Sequence, residues 1–317
     1  MGYFILSPLL LLRLKGQDVS STLPGLFVAT GWLGIFLMTP FASSVANRIG
    51  RQACMWLSSG VLLLCALLYT LSHNLPLWFA LNLLSGIAMS LHWVLGFNAL
   101  GLLWTALIPA VPKAADAGTA QVGLRGLVAA VAAHPIIKLA GFVGGFFETG
   151  VTSILPLYGL ALGLSAAAAA VMVSISGLGG VVLMIPAGLL ADRFQDHAQG
   201  RRALMVWSAA VMLLATLALP WVANQNWLAW PIVFIWGGAG GTLYMMAMTD
   251  IGSREKGITL VNSTAVLVLT YTLGGLLASG LSGALIDWSP AVAFPAVLLL
   301  VAAVGLAALW RARGKVL

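Results

Sequence analysis

Apolar runs of about 20 residues follow one another along almost the whole chain, each long enough to cross roughly 30 Å of hydrocarbon as an α-helix. Turn and charge signals bound them near residues 22–46, 53–71, 77–111, 136–160, 166–190, 203–222, 227–248, 259–286 and 291–310. A short apolar stub over 1–12 makes ten segments. Transmembrane β-strands would alternate polar and apolar residues in shorter stretches, and that alternation is absent. The pattern predicts an all-α polytopic membrane protein.

Composition agrees. Of 317 residues, 61% are hydrophobic and 7% charged, a balance that a water-facing surface of this size does not tolerate, so lipid is the solvent. The net charge of +7 raises the question of nucleic acid, but the 15 basic residues are scattered between apolar spans rather than gathered on one face. Topology accounts for them. With the stub leading outward, one set of loops carries only Arg13 and Lys15, and the other carries the remaining thirteen, from Arg48 and Arg51 to Arg313 and Lys315. This asymmetry predicts a cytoplasmic C-terminus in a bacterial inner (plasma) membrane. Cys54 and Cys65 share one apolar span with no His or carboxylate beside them and read as buried bystanders. Residues 1–12 lack the charged n-region and small-residue cleavage site of a signal peptide, and no myristoylation signal follows Gly2.

The segment 77–111 does not fit. Thirty-five uncharged residues would form a helix of about 52 Å, but splitting it into two crossings would place Lys113, Arg125 and Lys138 outside.

Ala46-Asn47-Arg48 and Ala191-Asp192-Arg193 are nearly the same tripeptide, 145 residues apart, each closing an apolar span at a predicted cytoplasmic end. Around them lie Gly50 and Arg51 in one copy, and Gly188, Gly200, Arg201 and Arg202 in the other. Small residues allow close helix approach, Arg complements a helix C-terminus, and an acid can cap a neighbouring N-terminus. The two runs resemble the G-x-x-x-D-R-x-G-R-R loop of the major facilitator superfamily. In the later part, Pro156-Leu157-Tyr158-Gly159-Leu160, the Gly237–Tyr244 run and Thr270-Tyr271-Thr272-Leu273-Gly274 resemble the YcaD-like branch of that superfamily, over about 136–310.

The resemblance implies two six-helix halves around a central cavity, alternating access by rocking, a small-molecule substrate and protons as partners, and no cofactor or metal. It implies gate roles for Asn47, Arg48, Gly50, Arg51, Gly188, Asp192, Arg193 and Arg202. The chain departs from the pattern before residue 112, where the family has six spans. Ser90–Leu95 resembles the middle of the family's fourth helix and Gly101–Pro109 the end of its sixth, so an internal deletion joining them explains the overlong segment. The domains expected are an incomplete N-terminal bundle (1–111), a central cytoplasmic loop (112–135), a six-helix bundle (136–310) and a tail (311–317). The earlier bundle is then expected to leave an open seam facing lipid or another subunit, and Asn47 stands where the family carries an acid.

Glu148 is the one acid well inside a span, where a charge is costly unless it faces a cavity or a partner. The family analogy makes it a site for a cationic substrate or a proton, and the plain alternative is a helix–helix hydrogen bond. His92 and Trp93 lie mid-segment as a proton relay or a polar interhelical contact. Tyr158, Tyr244, Asn262 and Tyr271 sit on helices that resemble cavity-lining ones and serve equally well as interface anchors. Asp250, Arg254, Glu255 and Lys256 are explained by charge pairing and capping at a helix junction. No zinc motif, nucleophile elbow or nucleotide loop is present, which argues against an enzyme or a nucleic-acid partner. The duplicated loop favours alternating access over a fixed pore. A non-transporting remnant of such a transporter is the remaining alternative.

Overall fold

The computed structural model describes residues 10–16, 19–72, 74–105, 135–194, 196–222 and 226–312, and these contain helices and no strand. The main helices are α1 (Thr22–Met38), α2 (Ala42–Ile49), α3 (Arg51–Leu71), α4 (Leu75–Thr105), α5 (Pro135–Gly145), α6 (Thr152–Ala161), α7 (Ala166–Ala191), α8 (His197–Leu217), α9 (Ala229–Arg254), α10 (Gly257–Trp288) and α11 (Ala293–Ala312). α5 and α6 form one continuous span through a π-helical turn at Phe146–Val151. Among the described residues eight helices are long and apolar enough to cross a membrane, and α4 adds a shorter apolar stretch, Leu75–Leu91. The fold is all-α and polytopic. Of the N-terminal stub, residues 1–9 lie outside the described residues, while Leu10, Leu11 and Leu14 are buried.

Three spans differ instructively from their sequence pattern. The expected continuous helix over 22–46 stops at Met38, where Pro40 sits in a 3-10 turn (Thr39–Phe41) and removes a helix donor. Ala46-Asn47-Arg48 therefore closes the separate helix α2 rather than the span itself, and Gly50, at φ 88°, makes the turn into α3. The span expected from 203 starts six residues earlier, because Asp196 caps α8 and carries Arg201 and Arg202 inside the helix. The segment 77–111 is one helix as far as Thr105, with 106–111 outside the described residues. At 31 residues it matches the 32 of α10, so its length alone marks no junction.

Contacts between helix ends fix their relative direction. Asp287, at the end of α10, reaches Ser21 and Thr22 at the start of α1. Arg201, early in α8, pairs with Asp250 near the end of α9, which leads straight into α10. The end of α1 and the start of α8 thus lie opposite Asp287, and Arg48 and Arg193 share that end of the bundle. It is called the basic end below.

Lipid offers no hydrophobic drive for helix association, so the spans are held by close packing. α9 crosses α7 with Gly237 against the Ser176 carbonyl and Gly179 against Phe234, and α10 crosses α5 with Gly274 against Phe142 and Gly145 against Tyr271. A single Cβ at any of the four would force two backbones apart. Other glycines on the same helices are not so placed: a Cβ at Gly177 would meet nothing within 4 Å among the described residues.

Candidate functional site at the middle of the bundle

Glu148 is the midpoint of the span Pro135–Ala161 and lies in the π-helical turn. Such turns carry one extra residue and loosen the backbone ladder, and they recur at functional sites. Local hydroxyls take up the loosened carbonyls: Thr149 Oγ1 donates to Gly145 O at 2.8 Å, Ser153 Oγ to Thr149 O at 2.5 Å and Thr152 Oγ1 to Phe147 O at 3.4 Å. The turn is therefore satisfied internally at a depth where water cannot do it.

The half-buried Glu148 carboxylate accepts a hydrogen bond from Tyr271 Oη of α10 at 3.0 Å. The Tyr271 ring lies 4.8 Å from that of Tyr244 on α9, tilted by 60°. Gly240 and Gly241 make room on α9, where a Cβ at Gly240 would press on Glu148 at 2.8 Å and one at Gly241 would stand 3.2 Å from Oε1. Trp32 of α1 and Thr149 close on the same point of α10, at Gly275. Among the described residues no cation pairs with Glu148, whereas Asp250 has two. One acid, two tyrosines and a glycine recess thus converge from three spans, with Trp32 of α1 close by.

The remaining expected residues are not part of this cluster. Tyr158 is buried and packs against Phe294 of α11, with ring centroids 4.7 Å apart. Asn262 is half-buried on α10, nine residues before Tyr271, about 13 Å along the helix axis. His92 and Trp93 lie within α4, but their side chains fall outside the described residues, as do those of Asn47 and Arg51. Arg48, Asp192 and Arg193 are exposed at the basic end. Among the described residues a Cβ added at Gly188 would meet nothing closer than Met245 Cε at 3.9 Å, so close helix approach does not require glycine there.

At the basic end the acid that caps α8 is Asp196, not Asp192: its Oδ1 accepts from Ala198 N at 2.9 Å and Gln199 N at 3.1 Å. These bonds, that of Gln199 first, hold its carboxyl below the ordinary range. Beside it, Arg201 binds Asp250 Oδ1 through Nε and Nη2, both at 3.2 Å, and donates to Ser253 Oγ at 2.6 Å. Arg254 Nη2 reaches the same oxygen at 3.0 Å. Arg202 lines an adjacent cavity of about 190 Å³ with Ile136, Ile137, Asp250, Ile251, Arg254 and Glu255, and its buried Nε has no partner among the described residues. Sequence reasoning saw that Asp250 is paired. It missed Arg201, 49 residues away, and no local spacing signals that contact.

The family model of the Major Facilitator Superfamily matches residues 94–257 and 139–316. An uncharacterised MFS-type transporter, YcaD, of Salmonella enteritidis is 26% identical over 287 residues, spanning 84% of this chain and 72% of the relative. Its counterpart in Shigella flexneri serotype 5b is 28% identical over 200 residues, spanning 62% of this chain and 49% of the relative. Among solved structures, the nucleoside transporter NupG superposes with a TM-score of 0.67 at 13% identity, covering 99% of this chain and 95% of that one. A D-xylose-proton symporter does so with a TM-score of 0.68 at 14% identity, covering 95% and 90%. Those two likenesses concern the fold, while the family match covers well over half the sequence. With its lipid-length helices, the chain belongs to the major facilitator superfamily of membrane transporters and is not an enzyme.

Proposed function

We propose that the chain is a secondary active transporter that moves a small molecule by alternating access, driven by protons, with Glu148 as the carboxylate that takes the proton or the substrate. The observation that carries this reading is an acid at mid-span with a tyrosine for a partner and, among the described residues, no cation. An ion at that depth is costly. The site is stable when Glu148 carries a proton or holds a bound cation, and either can be released when the site opens to water. Tyr271 orients the carboxylate, the Tyr244 ring packs against that of Tyr271, and Gly240 of α9 lets Glu148 approach that helix closely. In this reading residues 1–111 and 136–310 are the two rocking units, joined by 112–135. The basic end is cytoplasmic, with the tail 311–317, in a bacterial inner membrane. The exposed Arg48, Asp192 and Arg193 belong to the gate loops at that end.

The test is reconstitution of the full chain in proteoliposomes under a pH jump. The probes are a nucleoside and D-xylose, the cargo classes named for the two structural neighbours, and tetraphenylphosphonium, an organic cation matched to the carboxylate. Wild type should accumulate at least one probe against its gradient. Glu148→Gln should lose the accumulation and retain counterflow exchange. Unchanged pH-driven accumulation in the variant would remove Glu148 from the mechanism.

One observation favours a second reading, a non-transporting remnant. The α1 residues that meet α10 are Ser21, Thr22, Gly25, Ala29 and Trp32. Shifted by the 145-residue repeat, they become Ala166, Ala167, Ala170, Ser174 and Gly177 of α7, four of them exposed and Ala170 half-exposed. α7 thus offers an open face where α1 has a helix, which supports the seam expected from a shortened earlier half. Failure of wild type to move any probe would favour this reading.

A further inference from the structure

Ser21 is the N-cap residue of α1, yet its side chain caps nothing. The orphan donors that begin every helix are taken instead by a residue more than 260 positions away. Asp287 Oδ1 accepts from Ser21 N, and Oδ2 from Thr22 N and Thr22 Oγ1, all at 2.6 Å. A carboxylate there also sits favourably at the positive end of the helix dipole. Next to this tie the two helices touch through backbone. Gly283 abuts Ser21 and Thr22, and Gly25 abuts Ser279 and Gly283, so a side chain at either glycine would separate them.

Two features make this contact reversible. Asp287 is exposed, so water can replace its partners as they leave, whereas the Arg201–Asp250 pair is shut away from solvent. It also joins the earlier and later parts of the chain at the end opposite the gate loops, where relative motion is required if the alternating-access reading, on which this inference rests, holds.

We propose that Asp287 is a latch that closes the end of the transporter opposite the gate loops by capping α1 in trans, and that its release opens the seam between α1 and α10. Ser279 reports on the seam, because it is fully buried there against Gly25. The experiment uses the full chain in liposomes carrying Ser279→Cys with Cys54→Ser and Cys65→Ser. The rate at which a membrane-impermeant maleimide modifies the introduced thiol is then measured. Adding Asp287→Ala should raise that rate roughly tenfold, the population change that follows the loss of one good helix cap. Thr22→Val removes one of the three bonds and should give a smaller rise, which serves if Asp287→Ala does not fold. An unchanged labelling rate in a folded variant overturns the latch. The outcome is separable from the proton reading: faster labelling with Asp287→Ala supports the latch whatever Glu148→Gln does, and loss of coupling in Glu148→Gln with unchanged labelling overturns the latch alone.

Discussion

Replacing Asp250 by asparagine would leave the guanidinium of Arg201, whose side chain is 10% exposed, facing a neutral amide. The carboxylate takes three contacts on one oxygen, two from Arg201 at 3.2 Å and one from Arg254 at 3.0 Å. Removing one partner of a buried pair costs about 3–5 kcal/mol, because the other ion stays buried and uncompensated. Arg254 adds little to that figure: its side chain is 34% exposed and can turn to water. The amide oxygen can still accept from Arg201, so Asp250→Asn should fall at the lower end, a loss of about 3 kcal/mol. The assay is unfolding of the purified protein by a denaturing detergent, monitored by tryptophan fluorescence. It is run on Asp250→Asn, Arg201→Met and the double variant. The double should cost little more than Asp250→Asn alone, with a coupling of about 3 kcal/mol. Costs that add within about 0.5 kcal/mol would show that the pair does not act as a unit and refute the reasoning.

The other expectations are shorter. Gly274→Ala would drive a methyl group into the backbone of Phe142 and Phe146, and the forced separation of α10 from α5 should cost about 1–3 kcal/mol. The same unfolding assay reads it, and wild-type stability would contradict the close crossing. Asp196 has its carboxyl held low in the folded chain, so its contribution is present above the unfolded-state value and is lost as pH falls through the folded one. Asp196→Asn keeps a capping oxygen that does not titrate and should flatten the acid side of the stability profile, measured as melting temperature against pH. An identical slope in both proteins would assign the acid sensitivity elsewhere.

Much of the architecture was legible because a span needs only length and apolarity, both local properties. Glu148 stood out for the same reason, as a lone acid in an apolar run. Boundaries failed where capping overrode composition: Arg201 and Arg202 read as loop residues, but Asp196 begins the helix before them. Pro40 split a run that looked continuous. Tyr158 and Tyr271 are alike as isolated aromatics on neighbouring spans. Only the tertiary crossing at Gly145 and Gly274 decides that one meets Glu148 and the other meets Phe294. Asp287 gave no sign of its role, since its partners are backbone amides at the far end of the chain.

The turn at Phe146–Val151 has a consequence for how this span tolerates length changes. It holds one residue more than an α-helical path would, so everything after it is rotated by about 100° relative to an uninterrupted helix. Excising a single residue there would let the span close into regular geometry, with almost no change in its reach across the bilayer. It would also leave the face bearing Tyr158 turned toward α11, because the residue removed is the one whose rotation the π turn already absorbs. Regularising the turn without shortening it would instead rotate that face by about 100° away from α11, so the register of this segment is held by the angle between its ends more than by its length.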